Sequence, residues 1–214
     1  MNYNDIYSIT KNMFGNNPEK LLLDYHHLLD KKHPVLDIGI GQGRNSFYLA
    51  ENGFSVIGID PSKTGIEFVS EIAKKNEYPI LTKDLSFEEY ETGNTKFSAI
   101  LVFGLIQILS WKKIELLIKK IDNWLKPGGY LFITGFTILD LSYEKYKNSW
   151  ERIGNNSFSN DLGEVRTFLE PAQIKSLFGE YKTIHHWEGH GPEHRHGDGP
   201  LEKHHMVESV LTKP

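Results

Sequence analysis

One segment constrains this chain more than any other. Val35-Leu36-Asp37-Ile38 reads as a short buried strand, and Gly39, Gly41 and Gly43 follow it at alternate positions. Arg44 to Asn52 then reads as a helix, with Gly53 placed as its C-terminal cap. A buried strand that turns directly into a helix through glycine belongs in a parallel sheet with helices on its faces. Glycine there lets the backbone approach a ligand and adopt dihedrals closed to other residues. The helix N-terminus adds free N–H groups and partial positive charge.

The rest of the chain repeats this rhythm. Pro18 opens a helical pattern with Leu21, Leu22, Tyr25, Leu28 and Leu29, and Pro34 ends it. Ser55 to Ile59 is a second strand ending at Asp60, and Pro61 suits the first turn of the next helix. A third strand fits near Ile80-Leu81. Phe97 to Phe103 is a near-continuous apolar run, as a strand buried on both faces requires. Ile114, Leu117, Ile118, Ile121, Trp124 and Leu125 form the cleanest helical stripe. Pro127-Gly128-Gly129 is a turn, and Tyr130 to Thr134 another strand. Residues 138–166 are polar and aromatic without clear periodicity. Pro171 to Phe178 is a short helix. Tyr181 to Trp187 and Met206 to Leu211 are late strands that suggest an edge hairpin.

The acids extend the case from fold to ligand. Asp60 falls 17 residues after Gly43, at the end of the second strand, where a carboxylate accepts hydrogen bonds from ribose hydroxyls. Asp84, at the end of the third, is placed to meet an adenine amino group. Loop, Asp60 and Asp84 at successive strand ends form an ordered set on the edge where open α/β sheets bind ligands.

These residues resemble the class I S-adenosylmethionine (SAM)-dependent methyltransferases. Asp37-x-Gly39-x-Gly41-x-Gly43 is similar to the family's first motif, Asp60 to its ribose-binding acid, and Asp84-Leu85 to its adenine-contacting pair. Leu125-Lys126-Pro127-Gly128-Gly129 matches the turn before the family's fifth strand. Gly43-Arg44-Asn45-Ser46-x-x-Leu49-Ala50 resembles the tellurite-resistance (TehB-like) group and its small-molecule relatives. The resemblance implies an α/β, Rossmann-like, seven-stranded, mostly parallel sheet with helices on both faces and a C-terminal antiparallel hairpin. It implies one domain over 1–214, with a helical or lid segment at 1–33, an acceptor-site cover at 138–166 and a His-rich hairpin loop at 188–205. It also implies SAM as cofactor, held by Asp37, Gly39, Gly41, Gly43, Arg44, Asp60, Pro61, Asp84, Leu85 and Phe103. Phe103 and Gly104 are expected near the sulfonium. For Phe103 core packing is an equal reading, and for Arg44 so is a solvated first-turn position. Gln107 lies just beyond and is expected to face the methyl acceptor as a candidate catalytic residue.

Other classes fit less well. A dinucleotide dehydrogenase carries Gly-x-Gly-x-x-Gly, but Arg44 stands where its third glycine would be, and no second nucleotide-binding half follows. Aminopropyl transfer on a similar fold is a minor alternative. Exocyclic-amine nucleic-acid methyltransferases carry Asn or Asp, then Pro-Pro and an aromatic after the fourth strand; this chain has Phe103-Gly104-Leu105-Ile106. With no cysteine, a Cys nucleophile and thiolate metal ligands are excluded. The net charge of -4 supplies no basic face for nucleic acid. The expected partner is a small-molecule acceptor, not nucleic acid or membrane. No signal peptide is read at the N-terminus, and a cytoplasmic location is expected.

Seven of the ten histidines lie at or after residue 185, among Glu188, Glu193, Asp198 and Glu202. Imidazole with carboxylate suits zinc, manganese, iron or nickel. His190, His194, His196 and His204 are the candidate metal ligands, and His194 and His196 candidate catalytic groups; a solvated polar loop is the plain alternative. Three functions remain open: a small-molecule SAM methyltransferase, a metal-assisted O-methyltransferase using the His cluster, and a non-catalytic SAM-fold metal or metabolite sensor. If Tyr181 to Trp187 runs parallel to the core strands, the His-rich loop starts at the catalytic edge.

Overall fold

The computed structural model describes residues 3–10, 12–195 and 199–214. Its centre is a seven-stranded sheet in the order β3-β2-β1-β4-β5-β10-β9. The strands are β1 Val35–Ile38, β2 Val56–Asp60, β3 Ile80–Asp84, β4 Phe97–Val102, β5 Leu125–Phe136, β9 Lys182–His190 and β10 His205–Thr212. β1 to β5 are parallel, and β10 runs antiparallel to both β5 and β9. β9 therefore runs with the core strands, and the loop after His190 begins at their carboxyl edge.

The strand patterns explain the layers. In β1, β4 and β5, Leu36, Ile38, Ile100, Val102, Leu131 and Ile133 pack in one cluster, with Ile114, Leu117 and Ile121 of α5 (Trp111–Trp124) and Ile174 of α7 (Gln173–Leu177). Their alternates Val35, Ala99, Leu101 and Phe132 pack on the other face, against Leu22 of α2 (Lys20–Tyr25) and Leu49 of α3 (Arg44–Glu51). Period-two side chains on a strand buried on both sides require this division. The third helix of the parallel unit, α4 (Lys63–Lys75), places Ile66 and Val69 against Ile40 of the glycine loop.

Three regions depart from the sequence reading. The turn Lys126–Gly129 loops out within β5, which resumes its pairing with β4 at Tyr130 opposite Ala99. The aperiodic stretch 138–166 contains α6 (Tyr143–Ser149) and most of a small antiparallel sheet of β6 (Glu151–Gly154), β7 (Ser157–Ser159) and β8 (Val165–Thr167). This sheet docks where Thr167 Oγ1 donates to the Leu109 carbonyl. Residues 3–9 form α1, which lies along α4. Among the described residues, no helix is long and apolar enough to cross a membrane.

Candidate active site

The glycine loop has the geometry its composition demands. Gly39, Gly41 and Gly43 have φ of 78°, 52° and 83°, the left-handed region that favours glycine. Gly39 faces outward, and a side chain there would meet only Leu105 Cδ1, at 3.9 Å. The loop thus leaves open backbone beside β1, as an adenosyl group with an amino-acid tail requires.

Asp60 closes the loop from the next strand. Its Oδ2 accepts from Gly41 N–H at 2.9 Å and its Oδ1 from Ser62 N–H at 2.7 Å. A carboxylate offers about four acceptor positions, so capacity remains for two ligand hydroxyls. Burial raises the Asp60 carboxyl above its ordinary range, against the pull of those two amides. Asp84 stands beside it in register across β2 and β3, and is exposed. Leu85 is half-buried against the core, and Pro61 is exposed.

Asp37 is the buried acid of the set. It is 3% exposed, and Ser46, fully buried on α3, donates to its Oδ2 at 2.7 Å. Burial pushes its carboxyl up to about 6, with Asp60 adding to the rise, against the Ser46 hydrogen bond and Arg44. The folded protein then holds more protons than the unfolded chain between the ordinary value of 3.8 and about 6. Stability must fall as pH rises through that window and level off above it. The cost at pH 7.5 is up to about 3 kcal/mol, at 1.36 kcal/mol per pKa unit. Asp37→Asn keeps an acceptor for Ser46 and is expected to flatten this dependence and stabilise the cofactor-free protein near neutral pH. Chemical denaturation across pH 4 to 8 measures both; an unchanged profile would place the titration elsewhere.

The N-terminal segment is laid across the loop. Asn4 Oδ1 accepts from Ser62 Oγ and Thr64 N–H. A side chain on Gly41 would meet the Tyr7 hydroxyl at 2.9 Å. Gln42 accepts from Met13 N–H and donates to the Thr10 carbonyl. Arg44 donates to the Phe14 and Asn17 carbonyls and pairs with Glu19, so its guanidinium straps the segment to α3.

Just after β4, Phe103 packs edge-on against Phe132, with centroids 6.4 Å apart. A 3-10 turn over Ile106–Ile108 follows β4 and carries Gln107. Gln107 Oε1 is buried with no partner among the described residues, an orphaned acceptor. Nearby, α1, this turn and the β7–β8 hairpin border a half-open pocket of about 210 Å³ lined by Tyr3, Ile108, Ser110, Glu164, Val165 and Arg166, among others.

Of the histidines, His194 and His204 converge with Glu202, while His190 packs against the His205 ring instead. His196 lies outside the described residues. Sequence reasoning missed Ser46, and Asp140, which contacts His204 from 64 positions away. The Asn-Ser step after Arg44 was the available signal for Ser46; no local pattern marked Asp140.

A seven-stranded sheet with a glycine loop at β1 and acids at the ends of β2 and β3 defines the scaffold of an adenosyl-cofactor methyltransferase. Residues 35–129 match the methyltransferase domain family. The protein named "Probable S-adenosyl-L-methionine-dependent methyltransferase TehB" from Haemophilus influenzae is 26% identical over 161 residues, covering 67% of this chain and 54% of that protein. The ubiquinone biosynthesis O-methyltransferase of Pelagibacter ubique is 31% identical over 150 residues, covering 67% and 58%. The crystal structure of Haemophilus influenzae TehB superposes with a TM-score of 0.70 at 20% identity, covering 90% of this chain and 61% of that one. A SAM-dependent methyltransferase structure from Methanosarcina mazei gives 0.72 at 19%, covering 92% and 98%. The chain is thus similar to SAM-dependent methyltransferases, TehB among them, over its methyltransferase-domain match and in its fold. It spans just over half the length of these curated relatives.

Proposed function

We propose that the protein transfers a methyl group from SAM to a small-molecule acceptor by in-line displacement. The observation that carries this reading is the pairing of Asp60 with Gly41, which ties the ribose-binding acid to the glycine loop at the carboxyl edge of the sheet. When bound, SAM supplies a methyl group already activated by its positive sulfur.

The chain's own residues then have defined tasks. Asp60 holds the ribose hydroxyls, and Asp84 with Leu85 borders the adenine. Asp37, a buried acid without a paired cation among the described residues, suits the cofactor's cationic amino-acid tail. Helix α1 serves as a lid, its Tyr7 against Gly41, and excludes water from the transfer. Phe103 flanks the sulfonium. The orphaned Gln107 Oε1 orients the acceptor, which enters through the cavity beneath the β7–β8 hairpin. Alignment is the main contribution such a site makes. A soft acceptor such as a thiol needs no base; a hydroxyl or amine needs one within hydrogen-bond reach.

The relatives support a small acceptor. They include O-methyltransferases of ubiquinone biosynthesis and phosphoethanolamine N-methyltransferases, and the fold is shared with a 1,6-didemethyltoxoflavin N1-methyltransferase. Calorimetry tests the cofactor assignment: SAM and S-adenosylhomocysteine bind, and NAD does not. Gln107→Ala is expected to lower kcat/KM for the acceptor roughly 2- to 10-fold, one hydrogen bond's worth, with SAM affinity held within about twofold. An equal loss in both would assign Gln107 to the cofactor.

A further inference from the structure

The hairpin between β9 and β10 carries histidines and a carboxylate that have no task in the transfer proposed above. His194 and Glu202 face each other across it, each N–H donating to the other's carbonyl, at 2.9 and 2.8 Å. This clip holds the two residues opposite one another beyond the strand ends. His204 stacks on Phe136 at the end of β5, with centroids 4.1 Å apart and planes at 21°. The His194 and His204 rings lie 5.4 Å apart, and His204 Nε2 is 3.5 Å from Glu202 Oε2.

The second nitrogen of each ring is already committed. His204 Nδ1 lies 3.0 Å from Asp140 Oδ2. A carboxylate only accepts, so the Nδ1 proton points at Asp140. Asp140 is 4% exposed and is fixed in turn by the N–H groups of Ser142 and His205, at 2.9 and 2.8 Å, and by the Ser142 hydroxyl. His194 Nδ1 lies 3.2 Å from the Pro192 carbonyl, which also only accepts. In the neutral state both rings therefore carry their lone pair on Nε2. An outer carboxylate or carbonyl that fixes the tautomer in this way is the usual companion of a metal-binding histidine.

We propose that His194, Glu202 and His204 bind a divalent transition-metal ion, with Asp140 orienting His204 from outside. Each residue brings one ligand atom to within 4.8 Å of the other two. Ligands about 2.1 Å from a tetrahedral ion stand about 3.4 Å apart, so the loop tightens by roughly 1 Å on the ion. Two imidazoles and one carboxylate select zinc, cobalt, nickel, manganese or iron(II) over calcium and magnesium, which prefer all-oxygen sites. The remaining coordination positions are left for water or an acceptor's donor atom. The other described C-terminal histidines are engaged elsewhere: His185 with Tyr25, His186 with Ser209 and Glu188, His190 with His205. The site stands on these contacts whether or not the chain transfers methyl groups.

The test uses the full chain, stripped with chelator and titrated at pH 8 with Zn²⁺ by calorimetry and with Co²⁺ by visible absorption. One equivalent should bind. His194→Ala, Glu202→Gln and His204→Ala should each weaken it at least 10-fold. Asp140→Asn, which removes no ligand, should weaken it roughly 10- to 100-fold. Asp140 also supports the turn around it, so His194→Ala, in the loop outside the sheet, decides the matter if that variant unfolds. No stoichiometric binding by the wild type, or wild-type affinity in a His194→Ala/His204→Ala double variant, would overturn the proposal.

Discussion

Asp60→Ala should bind SAM about 10- to 150-fold more weakly than the wild type. The figure follows from hydrogen bonds to a charged group, worth about 1.5–3 kcal/mol, at 1.36 kcal/mol per decade. Two effects act together. The carboxylate loses its free acceptor positions for the ribose, and the amides of Gly41 and Ser62 lose the oxygens that hold the loop. Fold stability is expected to change less, because removing a buried carboxyl also removes its desolvation cost, which raises its pKa in the folded state. Calorimetry reads the affinity, and a thermal melt of the same sample separates it from unfolding. Unchanged SAM affinity would remove Asp60 from the site.

Gly43→Ala should be the most damaging small change in the glycine loop. At φ +83° an added Cβ would sit 2.8 Å from Val69 Cγ2 and 3.0 Å from the Phe47 ring. Val69 is fully buried in α4, so it has little room to yield. Left-handed backbone costs a non-glycine residue about 1–2 kcal/mol, and overpacking about 1–3 kcal/mol more. The sum, roughly 2–5 kcal/mol, is a large part of the ~5–15 kcal/mol that stabilises a domain. At about 2–4 °C per kcal/mol the melting temperature should fall by roughly 10 °C. Gly163→Ala isolates the packing part: φ is +74°, but nothing lies within 4 Å of its added Cβ. It should lose only the backbone share. Equal melting temperatures for the two variants would contradict the packing argument.

How legible each part was follows from the physics of its residues. β1, β4 and the core of β5 are buried on both faces, and their apolar runs announced them. Asp60 and Asp84 were placed by strand ends alone, and the register pairs them as neighbours. The small sheet was hidden because β7 and β8 are three residues long, too short to display a period. Helix α1 has no buried residue, so it offered no stripe strong enough to read. The family motif marked Asp37, but its raised pKa comes from burial that only the folded chain supplies, with the Ser46 hydrogen bond working against it. The crowd of histidines was plain in the sequence. Which ones converge was not, because the hairpin register sets His194 opposite Glu202 and a distant turn brings Asp140 to His204.

Transfer of a methyl group from SAM to a small molecule is the reaction proposed for this chain. The most direct measurement supplies SAM with a labelled methyl group, together with a panel of low-mass thiols, phenols, amines and heavy-element oxyanions. Labelled low-mass product and S-adenosylhomocysteine are then counted. Label should appear in the low-mass fraction, matched one to one by S-adenosylhomocysteine, and be lost with Asp60→Ala. Tight SAM binding with no label leaving the cofactor across the whole panel would contradict the proposed transfer, and would make the protein a SAM-binding sensor instead.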